Sequence, residues 1–289
     1  MARPLRPGDR IRVIAPSGAF DRERFDAGIA ILEAEGFEPL VDPRLLSRSR
    51  YLAGDDASRL AGVLEGLAEP GIAALWAARG GYGATRIVEH VNPRKDSQWL
   101  VGFSDITALH ARWFRAGAPS IHGANITTLG EWSEEARREL FAILGGECHQ
   151  HFDGEAQVTG AASGRLVGGN LTVLASMCGT RHLPVFRDSI VVLEDIGEAT
   201  YRIDRALTQL LRASDLSEAA GFVLGQLTRC GDDALEVLIE ELSRFGKPLV
   251  SGLPLGHEPS SRAIVLGTMA RIDGSAVRVT LDSSRLGVA

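Results

Sequence analysis

Short apolar runs alternate with amphipathic stretches through the first half of the chain. Residues 10–15 are predicted as a buried strand closed by Pro16-Ser17-Gly18, and Phe25, Ile29 and Leu32, with Ala30, share one face of the helix that follows and stops at Gly36. Residues 38–41 form a second short strand. Residues 55–67 open on acidic residues and turn Leu60, Val63, Leu64 and Leu67 inward as a helix. A third strand over 72–78 ends in Arg79-Gly80-Gly81-Tyr82-Gly83, ahead of a short helix through Ile87 and Val88. A fourth, from Trp99 to Val101, passes through Gly102-Phe103-Ser104 into a helix on which Ile106, Leu109 and Trp113 recur at helical spacing. Apolar strands spaced by amphipathic helices predict a parallel sheet covered on both faces, with ligands gathering beyond the strand C-termini.

A helix over 134–144 is followed by a polar, glycine-bearing run, Gly145-Gly146-Glu147-Cys148-His149-Gln150-His151-Phe152-Asp153-Gly154, which reads as a linker. The pattern then resumes: strands at 157–167, 190–193, 221–224 and 248–251, helices opening after Gly168-Gly169-Asn170 and over 201–212 and 233–245, and two shorter strands at 263–265 and 276–281. The expected architecture is α/β with two domains. An N-terminal domain, residues 1–146, holds a parallel sheet flanked by helices and a strand-to-helix nucleophile turn; 147–156 link it to a smaller α/β domain with a mixed sheet, 157–289.

Composition narrows the class. The 289 residues are 45% hydrophobic and 24% charged, as in an ordinary soluble globular protein, and the net charge of −6 is spread along the chain, which argues against a nucleic-acid partner. Cys148, Cys178 and Cys230 are widely separated and odd in number, so a reducing compartment is expected. The apolar run that begins at Ile11 is broken at Pro16, too short for a signal-peptide core, and no stretch is long enough to span a bilayer. A cytoplasmic location follows as the expectation, with no membrane partner.

The candidate chemistry lies at three strand ends. Ser104 follows Trp99 to Val101, Glu194 follows Ile190 to Leu193, and His257 follows Pro248 to Ser251. A serine hydroxyl becomes a useful nucleophile when an imidazole takes its proton, and the imidazole needs a carboxylate on its other nitrogen to fix the tautomer and stabilise the imidazolium. Each member has a plainer reading. Ser104-Asp105 also looks like ordinary helix capping, Glu194-Asp195 with Glu198 like an acidic turn or a divalent-cation site, and His257 like a solvated loop residue. The three glycines of Arg79 to Gly83 let backbone N–H groups approach a ligand, or simply make a tight turn; they fit neither dinucleotide nor Walker patterns.

Ala78-Arg-Gly-Gly-Tyr-Gly83, Val101-Gly-Phe-Ser-Asp-Ile-Thr107, Gly168-Gly-Asn-Leu171, Leu193-Glu-Asp-Ile-Gly-Glu198, Tyr201-Arg-Ile-Asp-Arg205 and Gly256-His257, in that order, resemble the LD-carboxypeptidase family of serine peptidases, which includes murein tetrapeptide carboxypeptidases and microcin C self-immunity proteins. The resemblance covers nearly the whole chain. It implies two α/β domains with the active site between them, a homodimer, no cofactor, and a triad in which Ser104 is nucleophile, Glu194 acid and His257 base. It implies an oxyanion hole from the backbone N–H of Asp105 and of a glycine in Gly80-Gly81, and a substrate cleft involving Tyr82 and the Gly168, Gly169, Asn170 loop. A departure falls at His122-Gly-Ala-Asn125, where His-Gly-Pro with an apolar residue next is expected, and it bears on the shape of the neighbouring loop rather than on the triad.

The reaction so implied is hydrolysis of the amide between the L-centre of a diamino acid and a terminal D-alanine in a muropeptide. The free carboxylate calls for an arginine fork, and Arg79, Arg202 and Arg205 are candidates by position. Three other readings stay open. One is a microcin C type hydrolase of aminoacyl or peptidyl adenylates, one a non-catalytic muropeptide-binding module, and one a metal-dependent hydrolase built on His149, His151 and the 194–198 carboxylates. For the last, solvated histidines are the favoured reading, and no metal is expected.

Overall fold

The computed structural model describes residues 3–281, so residues 1–2 and 282–289 of the two expected domains lie outside it. Six strands form the first sheet, in the order Ile264–Leu266, Ser120–His122, Trp99–Gly102, Ile72–Ala77, Arg10–Ile14, Glu38–Leu40. Every neighbouring pair is parallel except Ile264–Leu266 with Ser120–His122. Ile72–Ala77 and Trp99–Gly102 are buried at every position, which is why they read as unbroken apolar runs rather than alternating ones.

The second sheet has eight strands, in the order His149–Asp153, Ala276–Thr280, Met269–Asp273, Ala161–Asn170, Ser189–Ile196, Gly221–Thr228, Leu249–Ser251, Glu155–Val158. The four from Ala161–Asn170 to Leu249–Ser251 are parallel, and antiparallel strands flank them on both sides. The mixed α/β architecture expected from the sequence is therefore present, although the second sheet carries more strands than the first. The helix Thr107–Ala116 packs against Ala161–Asn170 and is buried on nearly every side, with Leu109, His110, Trp113 and Phe114 all enclosed. It ends at Gly117, left-handed with φ 78°.

Three features depart from the expected organisation. The run read as a linker, 147–156, supplies two strands of the second sheet, His149–Asp153 and the start of Glu155–Val158. Its polar composition hides a period of two: Gln150 and Phe152 point inward while His149, His151 and Asp153 face out. The buried Gln150 is satisfied by the first sheet, donating to the Ala263 carbonyl at 2.7 Å and accepting from the Val265 N–H at 3.0 Å. Second, Ile264–Leu266 leaves the C-terminal half and closes the edge of the first sheet, so residues 157–289 do not form one separate unit. Third, Ser120–His122, Met269–Asp273 and the short helix Ile126–Leu129 lie outside the predicted elements, being too short for periodicity to register.

Candidate active site

Ser104 stands at the turn between Trp99–Gly102 and the helix Thr107–Ala116, in the left-handed region with φ 65°. For a residue with a Cβ this conformation costs about 1–2 kcal/mol. The surroundings impose it. Phe103, extended just before it, donates its N–H to Asn125 Oδ1 at 3.3 Å, and the Gly102 carbonyl accepts from His110 Nε2 at 2.8 Å and from the Gly123 N–H at 3.1 Å. His110 therefore carries its proton on Nε2 and accepts on Nδ1 from Ser120 Oγ at 2.8 Å. Burial first, and then the neighbouring His122 ring, push His110 down to about 3, so it stays neutral.

The glycine-rich loop lies against the serine. A Cβ on Gly80 would come within 2.8 Å of Ser104 Cβ and 3.1 Å of its Oγ, so only glycine fits. Asp105 fastens this arrangement: its buried carboxylate accepts from Ser17 Oγ at 2.6 Å and from the Ala84 N–H at 2.8 Å, tying the ends of two neighbouring strands to the serine turn. Burial raises the Asp105 carboxyl, partly opposed by these hydrogen bonds. Arg59, also buried, clamps the loop from the other side by donating to the carbonyls of Pro16 and Gly83. Among the described residues, the N–H groups of Gly80 and Gly81 donate to no protein acceptor.

Glu194 and His257 come from the second half of the chain. Glu194 is fully buried near the C-terminal end of Ser189–Ile196, and its Oε2 accepts from His257 Nδ1 at 2.9 Å. Burial is the largest influence on the Glu194 carboxyl and raises it. The two imidazoles that face it, His257 hydrogen-bonded at 2.9 Å and His122 at 3.7 Å, outweigh burial and hold it at about 2. His257 rides on a loop pinned by Gln226, whose Oε1 accepts from the Glu258 N–H at 3.3 Å and from Ser261 Oγ at 2.8 Å. The His257 ring packs 4.7 Å from that of Phe103, the residue before Ser104, and its Nε2 is buried with no hydrogen-bond partner.

Ser104 and His257 both line a cavity of about 940 Å³ together with Phe103, Gly80, Gly81, Asn125 and Ile196. Five arginines among the described residues border it. Arg22 pairs with Asp26 and Arg24 with Glu131, whereas Arg48 and Arg229 have no ion pair or hydrogen bond among the described residues, and Arg79 makes only a hydrogen bond to the Ala19 carbonyl, at 2.5 Å. Sequence reasoning missed Asn125, Arg48 and Arg229. Arg229 follows the strand Gly221–Thr228 in a left-handed conformation, φ 51°, that no residue pattern announces.

Other residues expected in the cleft lie elsewhere. Gly168, Gly169 and Asn170 are buried in the seam between the second sheet and the Ser104 helix, away from the cavity lining. Asn170 N–H donates to Thr107 Oγ1 at 3.0 Å and its side-chain amide to Asp195 Oδ1 at 2.9 Å, while a Cβ on Gly168 would sit 1.9 Å from the Val192 carbonyl oxygen. These glycines make room for neighbouring protein atoms, the Val192 backbone at Gly168 and the Thr107 side chain at Gly169. Gly168→Ala, with φ 136° as a second penalty, is expected to cost at least about 3 kcal/mol, read from urea unfolding. Tyr82 is exposed beside Tyr51, ring centroids 5.9 Å apart; Arg202 is exposed, 3.4 Å from Glu198; Arg205 lies over the Tyr201 ring. None of these lines the cavity. His149 and His151 are exposed on their strand, with His151 3.0 Å from Asp153, and no group of three or more metal-ligating side chains gathers among the described residues. Nor is any helix among them long and apolar enough to cross a membrane.

Comparison with known proteins agrees with this architecture. Residues 11–123 match the LD-carboxypeptidase N-terminal domain and residues 163–272 the LD-carboxypeptidase C-terminal domain. A murein tetrapeptide carboxypeptidase of Pseudomonas aeruginosa is 34% identical over 93% of this chain and 94% of its own. The crystal structure of a muramoyltetrapeptide carboxypeptidase from Oxalobacter formigenes superposes with a TM-score of 0.82 at 28% identity, covering 93% of this chain and 97% of that one. An MccF-like protein from Bacillus anthracis, at 21% identity, shares the fold with a TM-score of 0.86 over 97% of this chain and 99% of its own. With both domain matches in order and similarity running nearly end to end, the chain belongs to the LD-carboxypeptidase family.

Proposed function

We propose that this protein is a serine-type LD-carboxypeptidase that releases the terminal D-alanine from the L-centre of a diamino acid in a murein tetrapeptide. The observation that carries the serine mechanism is the 2.9 Å hydrogen bond between His257 and the fully buried Glu194, with the remaining imidazole nitrogen unpartnered on a cavity that Ser104 also lines. In this reading Ser104 Oγ attacks the carbonyl carbon and His257 Nε2 takes its proton. The N–H groups of Asp105 and of Gly80 or Gly81 hold the oxyanion, and His257 then protonates the departing amine. Water releases the acyl group by the same roles. Glu194 fixes the Nδ1–H tautomer and stabilises the imidazolium.

The guanidinium groups that lack an ion pair suit a substrate with a free carboxylate. Arg79 adjoins the Gly80-Gly81 pair and is the arginine we assign to the terminal carboxylate; Arg229 and Arg48 extend the positive wall toward the other carboxylates of the peptide. The chemistry needs neither metal nor organic cofactor. We place it in the cytoplasm, acting as a homodimer on free muropeptides. The test is a mass-resolved incubation of the purified chain with L-Ala-D-Glu-meso-diaminopimelate-D-Ala, with and without a chelator. Loss of one D-alanine in both samples is expected. No loss would overturn the substrate assignment, and loss abolished by chelator would overturn the metal-free mechanism.

A further inference from the structure

Glu194 is fully buried, yet only one of its two oxygens has a hydrogen bond. Oε2 accepts from His257, while Oε1 has no partner. An ionised oxygen in that position is costly unless a donor faces it. The group that faces it is His122 Nε2, 3.7 Å away, itself buried and without any other partner. The two orphaned atoms point to each other. His122 ends the strand Ser120–His122 of the first sheet, whereas Glu194 belongs to the second, so the contact crosses between the halves of the molecule.

We infer that His122 is a positioning residue of the triad: its Nε2–H serves as the second donor to Glu194, clamping Oε1 so that Oε2 stays aimed at His257 Nδ1. The catalytic meaning of this clamp rests on the serine mechanism proposed above. The surroundings are consistent with a single task for His122. Its ring lies 6.2 Å from that of His110, whose two nitrogens are committed to Gly102 and Ser120, and meets Phe103 edge-on at 6.0 Å. The other nearby acid, Asp195, is occupied by Asn170, Thr172 and the Ile196 N–H. The charged or titratable groups around the clamp are thus Glu194, His257, His110 and Asp195, and only the first offers His122 an open acceptor.

The pH consequence has a definite sign. A donor on Oε1 favours the form of the pair in which Glu194 is ionised and His257 neutral, the form that can accept the serine proton. Removing that donor raises the proton affinity of the pair, whichever of the two residues takes the proton, so the acid limb of kcat/KM moves to higher pH.

The experiment compares wild type, His122→Gln and His122→Leu on the tetrapeptide. For His122→Leu, kcat is expected to fall about 10- to 100-fold with KM within about twofold, and the acid limb to rise by roughly half a unit or more. His122→Gln keeps an N–H donor and is expected to remain within about fivefold of wild type with its limb unmoved. A folded His122→Leu within about threefold of wild type, an unmoved limb, or equal impairment of the two variants would overturn the inference. Should the leucine variant fail to fold, imidazole ¹⁵N spectra of the wild-type chain decide. His122 is expected to carry its proton on Nε2, with a resonance that moves in Glu194→Gln; an unprotonated Nε2 overturns the clamp. The spectra need no turnover. If wild type releases no D-alanine and Ser104 resists a fluorophosphonate, the serine reading fails while the clamp is still decided.

Discussion

Ser104→Ala should lose at least about two orders of magnitude in kcat, because the covalent nucleophile is removed, while unfolding within about a degree of wild type. The stability half of this expectation follows from the backbone. Alanine at φ 65° suffers the same Cβ strain as serine, so replacing one by the other neither adds nor relieves much. Ser104→Gly separates the two effects. It should be equally inactive but more stable by about 1 kcal/mol, or roughly 2 °C, because glycine adopts the left-handed turn without penalty. A variant that gains stability by losing its catalytic side chain is the signature of strain held at a functional position. Turnover retained in Ser104→Ala would sink the serine mechanism outright. D-alanine release and thermal unfolding, measured on the same preparations, check both halves.

Glu194→Gln is expected to lower kcat by about 10³–10⁴ with little change in size or shape. A carboxylate can accept from two imidazoles at once, but an amide has a single acceptor oxygen. Here two imidazoles face the side chain: His257 2.9 Å from Oε2 and His122 3.7 Å from Oε1. One of them must meet an NH₂ group in the variant. If that one is His257, its Nδ1 becomes the acceptor and its proton moves to Nε2, which can then no longer take the serine proton. If it is His122, the amide oxygen still serves His257 but carries no charge to stabilise the imidazolium. Either way the base is disabled. The same substitution reports on stability. The Glu194 carboxyl is depressed from an ordinary 4.5 to about 2, so its contribution is fully present above pH 4.5 and is lost as pH falls toward 2. Melting temperatures across that window should therefore fall more steeply in wild type than in Glu194→Gln. Parallel curves would mean that the carboxylate is not preferentially ionised in the folded state.

Much of the fold could be read from periodicity, because the central strands of both sheets are covered on two faces and so present continuous apolar runs. Ser104, Glu194 and His257 could be picked out for the same reason. Each is the polar residue that follows such a run, and parallel topology gathers strand ends on one side. Their mutual distance is a property of how the two sheets face each other, which spacing along the chain does not encode. Glycine was the ambiguous letter. At Gly80 it makes room for the serine, but at Gly168 and Gly169 it makes room for Val192 and Thr107, and the sequence signal for close approach is the same whether the visitor is ligand or protein. His122 escaped notice because a three-residue strand has no readable period. The departure at His122-Gly-Ala-Asn125 did mark the place, since Asn125 is the residue that fixes the backbone before Ser104.

The return of Ile264–Leu266 to the first sheet changes what kind of object the His257 loop is. That loop leaves from Leu249–Ser251 in one sheet and lands through Ile264–Leu266 on Ser120–His122 in the other, so His257 is carried on a span anchored at both banks. A fragment ending at residue 146 would leave Ser120–His122 as an uncovered edge and invite strand-to-strand aggregation. The halves are consequently not interchangeable modules. Grafting a foreign C-terminal half to alter specificity would have to bring its own matching edge strand, and recombination points that respect the strand pairing fall around the first sheet rather than at the polar run that divides the sequence.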